Sequence, residues 1–297
     1  MTTYGILQAR RLLLACVLLL LAGRAAAQFS VAISAERTNY ISYEPLYVSV
    51  TITNTAGRDV VLGAAGGASW INFVVMSERG EPVTAMASPA AEPMMFRAGQ
   101  SLQRRFNLPR YFHLTGSGGY VVKASVYHSD LQRWVNSRPL RFTIQQAQKP
   151  RWEKSIALPS DHRMAGKYRR YQLFNFHDTT KSYLYARIVD ESTGAFLLTM
   201  PLNTLIPDRE VQIQIDGDRD LHVLSLGSPG IWVYQEVNAD GKILRQDFYQ
   251  VKRGSPKLEL SDSGKVSVVG AKPYEAESPK RDKFRGTGDR PEGVPLD

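Results

Sequence analysis

Five histidines, His113, His128, His162, His177 and His222, lie far apart in a chain of 297 residues whose one cysteine is Cys16. There is no HExxH helix motif for zinc, no GxSxG nucleophile turn and no glycine-rich phosphate loop of the GxxxxGK[ST] or GxGxxG kind. His177-Asp178 has the residue types of an oriented base, but neighbours on a strand point to opposite faces. A surface or strand-end histidine accounts for it. No serine sits in a recognisable nucleophile context. Triads are defined by geometry, so a hydrolase whose site is dispersed along the sequence stays open as an alternative. Asp216, Asp218 and Asp220 form DGDRD, and alternating carboxylates could offer oxygens to calcium. A twelve-residue calcium loop needs Gly at its sixth position and Glu at its twelfth, and here those are Leu221 and Gly227. An acidic turn between two strands is the plainer reading. No cofactor and no metal site is expected.

Charge gives a sharper indication. The formal net charge is +9, but it is unevenly spread. Residues 93–177 hold 15 Lys and Arg against three acids, while 28–92 and 178–262 are mildly acidic. A central basic band favours anionic partners. The candidates for such a surface are Arg104, Arg105, Arg110, Lys123, Arg133, Arg138, Arg141 and Arg151. Trp134 and Trp152, each preceded by Arg, join them as a candidate recognition pair, one read as part of a turn and the other as part of a linker. The remaining aromatics, which could in principle build a carbohydrate platform, fall mostly within strands, where they are favoured anyway. The opposing reading of the basic band is a solvated face, or pairing with the acidic segment that follows.

The elements that must carry these residues are strands. Phe29, Val31 and Ile33 alternate, as do Leu46 to Ile52, Ile71 to Val75, Tyr120 to Val126 and Leu140 to Ile144. Period-2 alternation marks half-buried strands. Turn residues separate them, among them Asn54 to Gly57, Glu78 to Pro82 and Gly116 to Gly119. Seven or eight short strands within residues 28–145 predict an immunoglobulin-like antiparallel sandwich. Residues 146–152 (QAQKPRW) read as a linker. A second β domain is predicted over 153–269, its clearest hairpin running from Ile231 to Val251 around Asp240-Gly241. The predicted fold class is all-β, two consecutive antiparallel β-sandwich domains.

The run EPLYVSVTITNTAGRDVVL, followed by WINFVVMSERGEPV, FRAGQSLQRRFNLP and GYVVKASVY, resembles bacterial immunoglobulin-like modules. These include macroglobulin-type domains and the intracellular proteinase inhibitor-type domain. The resemblance covers about 100 residues and rests on turn signals such as Asn54 to Asp59 and Glu78 to Gly80. It implies a fold, and it admits a proteinase inhibitor acting through a sandwich loop as an alternative function. No reactive residue is carried over. The hairpin region of the second domain looks like uncharacterised exported β proteins.

At the N-terminus, Arg10-Arg11 precede the apolar run Leu12 to Ala22, and Ala25-Ala26-Ala27 closes it. This is the form of a signal peptide, with cleavage expected after Ala27. The run is short for a bilayer span of ~20 residues. It also continues past Cys16, which argues against a lipoprotein. After cleavage the chain has no cysteine and no transmembrane segment. From 270 to 297 charges and prolines replace aliphatics, and a disordered tail is expected. Together these features predict an exported protein, periplasmic or extracellular. Its expected role is a non-enzymatic binding or assembly module of the cell envelope. Its expected partner is an anionic envelope component or an acidic protein surface. Nucleic acid is not expected.

Overall fold

The computed structural model describes residues 29–63, 69–179, 181–206, 209–251 and 254–275. The leader with Cys16, and all but the first residues of the expected tail, lie outside the described residues. The chain is all-β, sandwich-type and built almost entirely of antiparallel sheets. The described residues form two compact units that divide between Leu202 and Asn203. Among them, no helix is long and apolar enough to cross a membrane.

The first unit contains β1 (Phe29–Ala35), β2 (Asn39–Ile41), β3 (Tyr47–Asn54), β4 (Val60–Leu62), β5 (Ile71–Ser77), β6 (Met94–Phe96) and β7 (Ser101–Asn107). A single 3-10 turn, Leu108–Arg110, follows. Then come β8 (Gly118–His128), β9 (Arg133–Asn136), β10 (Leu140–Gln145), β11 (Trp152–Ala157), β12 (Tyr168–His177), β13 (Ser182–Asp190) and β14 (Phe196–Thr204), the last of which crosses the division after Leu202. Two sheets, β1-β3-β7 and β2-β10-β8-β5, close on one core, with β9 added to β8. The alternation explains why. In β3, Val48, Val50 and Ile52 are buried while the residues between them are not. They share one core with Trp70 and with Phe73, Val122, Ala124 and Phe142 of the other sheet. Each large apolar side chain sealed this way contributes roughly 1.5–3 kcal/mol.

Asn54 ends β3 as its turn chemistry suggests. It is fully buried, its Nδ2 donates to the carbonyls of Arg58 and Phe96 at 2.9 Å, and its Oδ1 accepts from the Ala56 amide. A buried amide so fully satisfied fixes where the chain turns.

A four-stranded sheet, β11-β12-β13-β14, completes the unit. Ala147, Tyr183 and the buried Ile41, Phe174, Phe176 and Tyr185 share one apolar cluster. The polar step at 146–152 therefore lies within one compact unit, mostly exposed, and the segment 153–269 is shared between two. Short strands, β9 and β11 among them, went unread in the sequence. Trp152 opens β11, opposite Leu173, and Trp134 lies in β9, opposite Tyr127. The expected turn and linker positions of these tryptophans are thus corrected, because each is held in a ladder of backbone hydrogen bonds.

The second unit holds β15 (Gln212–Ile215), β16 (Leu221–Ser228), β17 (Ile231–Val237), β18 (Ile243–Gln250), β19 (Lys257–Leu260), β20 (Val266–Val269) and β21 (Lys272–Pro273). The order β15-β16-β17-β18-β21 forms one sheet, and β19-β20 forms a ribbon. Leu224, Leu226, Trp232, Tyr234 and Leu258 make its apolar core. The Asp240-Gly241 turn is built as its sequence demands: Gly241 sits at φ 83°, and the Asn238 side chain accepts from the Lys242 amide at 2.8 Å.

Candidate functional site

The basic candidates do not form one surface. β7 sends Arg104 and Arg105 to opposite faces, because neighbours on a strand alternate. Arg104 is half-buried, its guanidinium 5.2 Å from the centre of the buried Trp70 ring. Arg105 is exposed, stacked 4.1 Å over Tyr47 and paired with Glu36 at 2.9 Å. Arg110 closes the 3-10 turn. Arg151 reaches Asn175 at 3.3 Å, and Trp152 is half-buried on a different sheet from Trp134. The two tryptophans therefore do not share a platform. Arg133 alternates away from Trp134 on β9, and Arg138 lies in the short segment between β9 and β10.

Three candidates do share a face. On the outer side of β2-β10-β8-β5, Arg141 lies opposite Val121, which lies opposite Met76. Lys123 lies opposite Val74 in the next outward row, and Trp134 extends the face through Tyr127, their rings 5.4 Å apart. Val74, Met76 and Trp134 are 48%, 38% and 44% exposed. Lys123 and Arg141 are exposed and make no ion pair among the described residues. Glu78 lies at one end of this face, its carboxylate against Gly119. Exposed apolar side chains interleaved with unpaired cations mark an interaction surface better than either feature alone.

Part of the basic band is spent inside the molecule. Arg169 of β12 lies opposite Asp190 of β13, and their side chains meet at 2.7 Å with both groups buried. Arg170 meets Glu191 at 2.8 Å. Asp190 also accepts from the Ser192 hydroxyl at 2.5 Å and from the Ser192 and Thr193 amides. The Ser192 hydroxyl, then these amides and Arg169, hold its carboxyl down at about 2.

A second polar cluster ties the sandwich to the four-stranded sheet, and nothing in residue spacing announced it. Glu44 is buried, and its carboxylate takes hydrogen bonds from the Arg37 guanidinium, from the Ile41 amide at 3.1 Å and from the Tyr185 hydroxyl at 3.0 Å. Arg37 also donates to Tyr185 at 2.5 Å. Burial pushes the Glu44 carboxyl up, against the pull of Arg37. Beside it, Arg187 donates to Thr199 and to the Ser42 carbonyl and lies between the Phe174 and Phe196 rings, 5.1 and 4.9 Å from their centres. Rings stand where a carboxylate would otherwise balance this buried cation.

In the second unit DGDRD is a turn. The Asp220 amide donates to Asp216 at 2.8 Å. Among the described residues no group of three or more His, Cys, Asp or Glu could hold a metal ion. His222 ends 3.1 Å from Asp216 on one side and 2.7 Å from the Tyr234 hydroxyl on the other, and Tyr234 donates to Glu236 at 3.2 Å. This carboxylate–imidazole–phenol chain has the parts of a proton relay. His222 and Tyr234 are each only 2% exposed. His177 bonds Ser182 at 3.0 Å while Asp178 accepts from Asn39 at 2.5 Å, so the neighbours His177 and Asp178 turn to different partners.

No protein-family model matches the chain, and no curated protein matches it. Among solved structures it is similar to a β-glucosidase, EmGH1, from Erythrobacter marinus, at 18% identity and TM-score 0.25 over 39% of this chain and 15% of that one. It is similar to the sporulation control protein Spo0M from Bacillus subtilis, at 10% identity and TM-score 0.29 over 57% of this chain and 83% of that one. It is also similar to the YadV chaperone, at 11% identity and TM-score 0.24 over 75% of this chain and 100% of that one. Similarities this shallow carry no functional assignment.

Proposed function

We propose that the protein is an exported, non-enzymatic binding or assembly module of the bacterial cell envelope, and that it meets an anionic partner through the outer face of β2-β10-β8-β5. One observation carries this reading: Lys123 and Arg141 stand exposed and unpaired among exposed Val74, Met76 and Trp134. The cations attract and orient the partner, and the apolar side chains add contact area once it is close. Export rests on the leader sequence. The experiment is retention of the chain on heparin, used as an anionic polymer probe. Retention should fall steeply between about 50 and 300 mM salt, because exposed charges are screened over about 10 Å at 0.1 M. Lys123→Glu with Arg141→Glu should weaken it at least tenfold. Binding indifferent to salt, or unaffected by this double substitution, refutes the reading.

A further inference from the structure

A cleft of about 440 Å³ opens in the first unit between the turn at Tyr43, the loop after the 3-10 turn, and the turn that leads into β14. Its chemistry differs from that of the basic face. None of its lining residues is Asp, Glu, Lys or Arg. Its polar side chains are the Tyr43 phenol, the His113 imidazole and the Thr115 and Thr193 hydroxyls. Met86, Phe112, Leu114 and Phe196 supply apolar wall.

Tyr43 is the exceptional residue. Its backbone stands at φ 71°, a left-handed conformation that a bulky residue adopts only under constraint. The constraint is visible on both sides. The Ser42 amide and hydroxyl both donate to the Gln145 carbonyl, the Ser42 carbonyl accepts from Arg187, and the Glu44 amide closes the turn onto Ile41. Glycine would satisfy this backbone at lower cost. What the tyrosine adds is its ring, which stacks 3.8 Å from Phe196 at 18° and stays 44% exposed. The opposite wall is equally fixed. Asp190 locks the 190–195 turn, with the Gly194 amide on the Asp190 carbonyl at 2.8 Å. On the third side the Thr115 hydroxyl and His113 ring are hydrogen-bonded at 3.0 Å and face solvent together.

We propose that this cleft binds a neutral saccharide, one sugar ring lying against the Tyr43 phenol. The electron-rich ring face attracts the weakly positive C–H groups of a sugar. The imidazole and hydroxyl groups donate to and accept from its hydroxyls. The absence of charged lining residues selects against acidic and basic ligands. Rigid walls mean that little ordering is lost on binding.

The test is saturation-transfer NMR on the full chain with chitotriose, cellotriose and maltotriose as probes. At least one should receive saturation through its ring C–H protons, with an affinity unchanged between 50 and about 300 mM salt, since screening acts on charges. That salt response separates this site from the basic face, whose binding falls over the same range. Tyr43→Gly should abolish transfer while leaving Tm within about 3 °C, because relief of backbone strain offsets the lost ring stacking. Thr115→Val, on the third side, should weaken binding at least fivefold and gives a second reading should Tyr43→Gly fold poorly. Transfer to none of the three sugars, or transfer that survives both substitutions, overturns the proposal.

Discussion

The two units handle buried charge in opposite ways. In the first, each buried carboxylate has an arginine: Glu44 has Arg37, and Asp190 has Arg169. In the second, the like charges of Asp216, Glu236 and Asp218 act on Asp220, and His222 lies 3.1 Å from Asp216. Burial first, then the charges of Asp216, Glu236 and Asp218, push the Asp220 carboxyl up to about 7. The contrast teaches that a chain's net charge says little about its interior. The basic band supplies the arginine that meets Asp190 in the acidic segment after it, while further along that segment Asp216, Glu236 and Asp218 act on Asp220 with like charge.

The contrast can be broken most directly at Glu44. A buried pair is a doubtful stabiliser as a whole, because desolvation consumes much of the attraction. Removing one partner is another matter. Glu44→Ala strands the Arg37 charge and the Tyr185 hydroxyl together and should cost about 3 kcal/mol in urea unfolding of the first unit. Adding Arg37→Met should recover most of that loss, since no unpaired charge is then left. Asp218→Ala in the second unit should cost nothing. Equal losses for Glu44→Ala and Asp218→Ala would erase the distinction between the units.

The same contrast gives the units opposite responses to acid. Asp190 holds its proton more weakly folded than unfolded, at about 2 against an ordinary 3.8. Its contribution is complete above about pH 4 and is lost as pH falls towards 2. Asp220 holds its proton more tightly folded, at about 7 against 3.8. Between those values the folded second unit binds more protons than its unfolded chain, so its stability declines as pH rises from about 4 to 7 and then levels off. Hydrogen exchange resolved by peptide, corrected for intrinsic rates, should report the two trends separately. Asp220→Asn should abolish the second trend and raise the unit's stability at pH 8 while changing little at pH 4. A second unit that grows more stable between pH 4 and 7 would overturn this account.

Much of the fold was legible because period-2 alternation records which face of a strand is buried. Strands expected over Ile231–Val237 and Lys257–Leu260 lie at those residues. The hairpin around Gly241 followed from Asp-Gly alone. β9 and β11 were missed because short strands opened by Arg-Trp and Trp-Glu offer too few apolar repeats, and their pairing depends on what lies beside them. The Glu44 cluster was out of reach for another reason. Glu44 and Tyr185 are 141 residues apart, and no local pattern encodes their meeting. The second unit's cluster left a faint signal. His222 and Glu236 stand opposite one another in the β16–β17 hairpin, so its register could have paired them. The Arg169–Asp190 pair is likewise a register consequence of β12–β13, and reading that hairpin would have reduced the apparent basic field.

The smallest expected effect sharpens what burial contributes. Arg105 and Glu36 form an ion pair in the same unit as Arg37 and Glu44, at 2.9 Å, with side chains 53% and 74% exposed. If sign and distance were decisive, Arg105→Ala would approach the cost of losing Glu44. If burial is decisive, water replaces the partner on both sides and the loss stays below ~1 kcal/mol, part of it from the lost stacking on Tyr47. The charge component should vanish at about 1 M salt, where screening reaches about 3 Å, while the cost of Glu44→Ala persists because its partners are sealed from ions. Unfolding of both variants at low and high salt decides the matter. A salt-insensitive loss of 2 kcal/mol or more at Arg105 would mean that the surface pair is held as rigidly as the buried one, and that arginine pairing rather than burial distinguishes the first unit from the second.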